Sequence, residues 1–300
     1  VIRDEVISQF RVKPGSRVNL KEFSTDFDGA DELKRLTKGK VKELAADVLE
    51  QNRADLAAAQ ELLYADNRYS VLVVLQGMDA AGKDGAIKHV FSGVNPQGCQ
   101  VFSFKTPSAE ELDHNFLWRY MKALPERGRI GIFNRSYYED VLVVKVHPEL
   151  LDRAQLPDDR RGKSFWNDRY DDIAAFERHL HRNGTIVVKF FLHVSKSAQR
   201  SRFLKRLKED EKHWKFSAAD LRERGFWSEY QSAYEDALSA TSSEHAPWYV
   251  IPADHKWVTR TLVADIVVSR IRALDLRYPE IGEKELAELE KARQQLEAEK

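Results

Sequence analysis

The 300-residue chain is 42% hydrophobic and 10% aromatic, enough for a sizeable core, and its 48 basic and 48 acidic side chains cancel. Zero net charge excludes a global field that gathers polyanions, so any anion site must come from local clustering. The single cysteine, Cys99, excludes an internal disulfide or a cysteine metal cage, and no apolar run nears the roughly 20 residues of a membrane span.

Residues 1–40 are polar and irregular and read as an arm lying on the domain surface. From 41 to 278 the pattern is that of a single domain. Apolar residues at helical spacing predict a helix over 40–65, stopped at Asp66-Asn67. Ser70 to Gln76 reads as a buried strand, and 86–91 as the helix after it. A strand over 100–105 precedes a helix from 108 to about 124, opened by a capping box of Ser108 and Glu111. A third strand spans 128–134, followed by helices over 137–144 and 165–182, with a charged, proline-containing excursion at 151–163. The clearest strand is 185–194, and a basic helical lid at about 196–216 follows it. A helix over 217–240, a strand over 246–252 and a helix over 258–276 complete the domain. Residues 279–300 carry a charged terminal helix. Strands alternating with helices imply an α/β fold with a three-layer parallel sheet, whose ligand lies at the carboxyl ends of the strands.

Between the first strand and its helix lies Gly77-Met78-Asp79-Ala80-Ala81-Gly82-Lys83-Asp84-Gly85. Strand, glycine loop and helix together match a phosphate-binding loop of the G-x-x-x-x-G-K type. The N–H groups of Ala80, Ala81, Gly82 and Gly85 can then turn toward a phosphate, and Lys83 brings a mobile charge. Asp84 stands where Ser or Thr normally helps hold Mg²⁺, and Asp79 is a second acid within the loop. Carboxylates beside phosphates repel them unless a cation lies between, so Mg²⁺ is implied, with Mn²⁺ as its substitute.

The third strand ends Phe133-Asn134-Arg135-Ser136-Tyr137-Tyr138-Glu139-Asp140. Asn134 occupies the place of the acid that usually holds the metal through water, and Glu139 is the candidate replacement. Arg135 offers a planar fork to a transferred phosphoryl group. In the lid, residues 196–215 hold eight Lys or Arg against three acids. Phe203, Leu204 and Leu207 read as its apolar face, with Arg200 on the same side and Arg206 turned elsewhere. Lys212 and Lys215 extend the patch around Trp214, which reads equally as a nucleotide-stacking or a core residue. Arg119, on the helix after the second strand, is a candidate for an acceptor phosphate. The histidines form no zinc-ligand pattern.

These motifs, with His213-Trp214-Lys215-Phe216 and Ala246-Pro247-Trp248-Tyr249-Val250-Ile251-Pro252, resemble the polyphosphate kinase 2 family from about Phe10 to Tyr278. The single cysteine and the lack of a long apolar run lead to the expectation of a cytoplasmic protein, and a homo-oligomer (dimer or tetramer) is expected. The resemblance implies a thymidylate-kinase-like fold and phosphoryl transfer between inorganic polyphosphate and AMP, ADP or ATP. Neither nucleic acid nor membrane is an expected partner. It assigns Asp79, Lys83 and Arg135 to catalysis, with Arg200 and Arg206 as the matching lid arginines. The Asn134–Glu139 combination is similar to the subgroup that phosphorylates both AMP and ADP. The glycine loop is expected to hold the acceptor's end phosphate, with the donor under the lid. An ATP-dependent nucleoside monophosphate kinase and a non-catalytic polyanion-binding module are the competing readings.

Overall fold

The run Ser70–Gln76, built from β-branched and leucine side chains, forms β1 and is buried along its whole length. In the computed structural model, which describes residues 4–26, 38–154 and 156–299, β1 is the centre of a five-stranded parallel sheet. The other strands are β2 (Cys99–Ser103), β3 (Ile130–Asn134), β4 (Thr185–His193) and β5 (Trp248–Pro252), in the order β2-β3-β1-β4-β5. Helices are α1 (Asp4–Ser8), α2 (Lys38–Asp66), α3 (Lys83–Val90), α4 (Ala109–Leu112), α5 (Trp118–Met121) and α6 (Glu139–Val146), then α7 (Phe165–Arg182), α8 (Lys196–Lys208), α9 (Ala218–Gly225), α10 (Trp227–Thr241), α11 (Lys256–Arg272) and α12 (Glu283–Glu297). One group, α2, α3 and α11, packs together, and α6, α7 and α10 form another. The central strands, buried on both faces, require such cover on each side. Among the described residues no helix is long and apolar enough to cross a membrane.

Two expectations are corrected. The helix over 108–124 is two short pieces, α4 and α5. Its capping box forms as expected, but Asn115 Oδ1 accepts from Leu117 N at 3.0 Å, turning the chain between the two. The helix over 217–240 breaks at Gly225, where Phe226 leaves the helical path and packs edge-on against His147. The excursion at 151–163 holds two 3-10 turns, Pro148–Ala154 and Asp158–Arg160.

The arm is more than a surface strap. Arg11 bridges antiparallel to Tyr249, and Val12 N donates to Trp248 O at 2.9 Å, covering the free edge of β5. Val12, Val18 and Leu20 are buried in the core. The remainder of the arm, 27–37, lies outside the described residues. No residue of α12 is buried.

The chain leaves β1 to build β2 and β3 on one side and then crosses to β4 on the other. That reversal opens a crevice at the carboxyl end of β1, where the glycine loop begins.

Candidate active site

Gly77 ends β1 so close to β4 that a Cβ there would lie 2.9 Å from Leu192 O. Only glycine lets the loop start against the neighbouring strand. Two residues with side chains are left-handed beside it, Ala80 (φ 59°) and Arg135 (φ 65°). Such conformations cost roughly 1–3 kcal/mol each and persist only when surrounding contacts enforce them.

Lys83 opens α3, and its Nζ is buried inside the loop, donating to Gly77 O at 2.5 Å and more weakly to Met78 O at 3.4 Å. Burial, followed by the positive field of Arg135, lowers its pKa, while Asp79, Glu139 and Asp84 oppose the shift. Arg135 Nη2 donates to Asp79 Oδ1 at 2.9 Å, closing the β3 end onto the loop. Glu139 Oε1 accepts from Gln76 Nε2 at 3.1 Å, fixing the first residue of α6 to the last of β1. Asn134 Nδ2 donates to Asp84 Oδ1 at 2.8 Å. The two positions that depart from the usual phosphate-loop pattern are therefore partners: Asn134 supplies an N–H where a second acid would repel Asp84.

Two cavities meet here, and Asp79 and Arg135 line both. The larger, about 1170 Å³, is lined by Gly77, Asp79, Arg135 and Glu139 and also by apolar side chains that include Leu151 and Phe165. The smaller, about 670 Å³, is lined by loop residues Ala80 to Ala86. Around it stand nine Lys or Arg side chains against three acids, so it attracts polyanions. The loop's Ala80, Ala81, Gly82, Asp84 and Gly85 thus share a cavity with the basic helix. The sequence reading assigns the loop to the acceptor's end phosphate and that helix to the polymer donor.

On α8 the inward face also differs from the expected one. Leu204 and Leu207 are exposed, whereas Gln199 and Phe203 are buried. Arg200 is exposed and lines neither cavity. Arg202 is the residue the sequence reading missed. Its Nη1 donates to Ala80 O and Ala81 O, both at 2.8 Å, and its Nη2 to Asp254 O at 3.0 Å and to Ala253 O. Gln199 Nε2 adds a bond to Asp79 O at 2.9 Å. The spacing Gln199, Arg202, Phe203, Arg206 is the i, i+3, i+4, i+7 signal that would have found this face. Arg206 pairs with Asp220 at 3.5 Å and lines the smaller cavity, as do Lys205, Lys212, Lys256 and Arg260. Lys212 is also paired with Glu209. The Lys215 side chain lies outside the described residues.

Arg119 lines the larger cavity and braces the α4–α5 corner: Nη1 donates to Lys105 O at 2.9 Å and Glu111 at 3.3 Å, and Nη2 to Tyr120 OH at 2.9 Å.

A parallel sheet whose glycine loop, buried lysine and converging cations sit at the crossover point defines an α/β phosphotransferase. Residues 40–279 match the family described as Polyphosphate kinase 2, and the chain belongs to it. It is 53% identical over 289 residues to the ADP-polyphosphate phosphotransferase of Rhodopseudomonas palustris, covering 96% of this chain and 97% of that protein. The AMP/ADP-polyphosphate phosphotransferase of Meiothermus ruber is 44% identical, over 91% of this chain and 96% of its own. The crystal structure of polyphosphate kinase 2 from Arthrobacter aurescens TC1 matches with a TM-score of 0.82 at 35% identity, covering 95% of each chain.

Proposed function

We propose that the chain moves the terminal phosphoryl group of inorganic polyphosphate onto AMP and ADP, reversibly. The observation that carries this reading is the meeting of two unlike cavities at Asp79 and Arg135. The cationic one suits a polyanion with no base to bury. The larger one, with apolar side chains in its wall, suits a nucleotide. The polyphosphate therefore runs between the phosphate loop and the basic lid helix, and the nucleotide's end phosphate reaches the junction from the other side. Acceptance of both AMP and ADP rests on Asn134 and Glu139.

In the transfer, an acceptor phosphate oxygen forms a bond to the terminal phosphorus as the bond to the bridging oxygen breaks. The polymer leaves as an anion one phosphate shorter. The acceptor is already ionised, so no general base is needed. Charge on the equatorial oxygens is neutralised by Lys83 and Arg135, and the loop N–H groups position the donor. Asp79 and Glu139 are hard oxygen donors at the junction, of the kind Mg²⁺ takes together with substrate phosphates. Among the described residues no group of three or more His, Cys, Asp or Glu that could hold a metal ion converges. When bound there, Mg²⁺ supplies charge neutralisation across the reacting phosphates.

The test is incubation of the protein with polyphosphate and Mg²⁺ and, separately, AMP, ADP, GMP and GDP, with products resolved by charge. Phosphorylated adenine nucleotides are expected without ATP as donor. Lys83→Ala and Arg135→Ala should each cut turnover by about a thousandfold or more while leaving the unfolding midpoint near that of the wild type. A strict need for ATP as donor, or turnover kept within about tenfold in both variants, overturns the reading.

A further inference from the structure

Arg169 on α7 and Asp140 on α6 face each other across the wall of the larger cavity. The Arg169 side chain is 9% exposed. Its guanidinium makes no hydrogen bond among the described residues, and Nη1 is buried without a partner. Phe116 and Phe165 hold it, with their ring centroids 4.1 and 5.1 Å from the guanidinium carbon. Its charged contact is Asp140 Oδ1, at 3.8 Å from Nη1, beyond hydrogen-bond reach. The Asp140 carboxylate accepts no hydrogen bond among the described residues either, although its side chain is only 25% exposed.

A buried guanidinium and a carboxylate, each without hydrogen bonds, form a costly arrangement unless something from the cavity completes it. The partner must accept from Arg169 and donate to Asp140 at the same place. A phosphate satisfies the first and is repelled by the second; an ammonium group does the reverse. A vicinal diol satisfies both, because each hydroxyl donates one proton and offers lone pairs. Asp140 directly follows Glu139, which borders the catalytic junction. The sugar is the part of a nucleotide bonded to its phosphates, so it is the part that reaches this position first.

We propose that Asp140 and Arg169 bind the ribose 2′,3′-diol of the acceptor nucleotide. This rests on the larger cavity being the acceptor site, and it makes the pair a specificity device for ribonucleotides over deoxynucleotides. Asp140 accepts from the hydroxyls, and Arg169 donates to their oxygens. The same contacts draw the two side chains into a bridged pair.

Equilibrium binding by calorimetry, without polyphosphate, separates this from the transfer reaction itself. AMP should bind wild-type protein about tenfold or more tightly than 2′,3′-dideoxy-AMP, the loss expected when a charged group's hydrogen bond is left unmade. In Asp140→Asn the ratio should fall to within about threefold. The wild-type arm needs no variant, so a poorly folded D140N protein leaves the question decidable. Equal wild-type affinity for the two nucleotides overturns the proposal. So does an unchanged ratio in folded D140N. Absence of transfer from polyphosphate, with the ribose discrimination intact, overturns the reaction and leaves the diol site standing.

Discussion

The Arg202 guanidinium donates to the carbonyls of Ala80 and Ala81 on one side and of Ala253 and Asp254 on the other. Ala80 is left-handed, so its carbonyl direction is one the chain would not choose unaided. Arg202 enforces it from the carbonyl side, while the Ala81 N–H, expected to turn toward a phosphate, donates instead to Met78 O at 3.0 Å. Arg200, two residues away, is exposed and touches neither cavity. Replacing Arg202 by Ala strips donors from partly buried carbonyls. It should lower stability by about 2 kcal/mol and turnover by more than tenfold. Arg202→Lys should not restore it, since an ammonium cannot span two pairs of carbonyls. Arg200→Ala should stay within about twofold of wild type, as exposed charges do. Steady-state kinetics and urea unfolding of the three variants check this, and a larger loss in R200A than in R202A refutes it.

At the scale of elements, α2 ends as its sequence predicts. Asn67 takes the left-handed position (φ 53°) and its N–H returns to Leu63 O at 3.1 Å. An acid at a helix C-terminus opposes the dipole, so Asp66 must stabilise by other means. It accepts from Arg68 Nη2 at 2.6 Å, Arg68 Nε at 2.8 Å and Arg277 N at 2.8 Å, tying α2 to the chain beyond α11. The hydrogen bonds from the Arg68 side chain hold its pKa down to about 2, against the effect of burial. A depressed carboxylate contributes stability that is full above its unfolded pKa of about 3.9 and lost as pH falls through about 2. Asp66→Asn should therefore be less stable than wild type at pH 7, and the deficit should shrink between about pH 4 and pH 2. Denaturant midpoints of both proteins at pH 7 and pH 2.5 test this; a deficit that grows on acidification contradicts it.

The whole molecule is held together behind the site by a buried polar network. Lys189 Nζ on β4 donates to Glu177 Oε2 at 2.5 Å, Thr241 O at 2.8 Å and Tyr138 OH at 2.9 Å. Tyr137 and Tyr138 both donate to Glu177 Oε1, at 2.9 and 2.8 Å. The network joins α7, β4 and α10 to the segment that carries Arg135 and Glu139. Lys189→Met leaves Glu177 buried and uncompensated and should cost about 3–5 kcal/mol. Adding Glu177→Gln removes that charge while keeping an acceptor for both tyrosines, so the double variant should recover more than half of the loss. Urea denaturation of the two variants decides it, and no recovery in the double variant counts against the account.

Local chemistry was readable from the residues alone. The glycine loop, Lys83, the strand run before it and the Asn134–Glu139 combination are set by neighbours a few positions apart, where steric and periodic rules act. So is the alternation of strands and helices, which yields the parallel sheet. The inward face of α8 was not readable, because its exposed Leu204 and Leu207 mimic an apolar stripe while Gln199 and Arg202 find partners over fifty or more positions away. The same holds for the loop facing the basic cavity, the arm closing β5, and Asp140 meeting Arg169. Each pairing joins residues distant in the chain. Packing of whole elements sets those distances, and no local pattern encodes it.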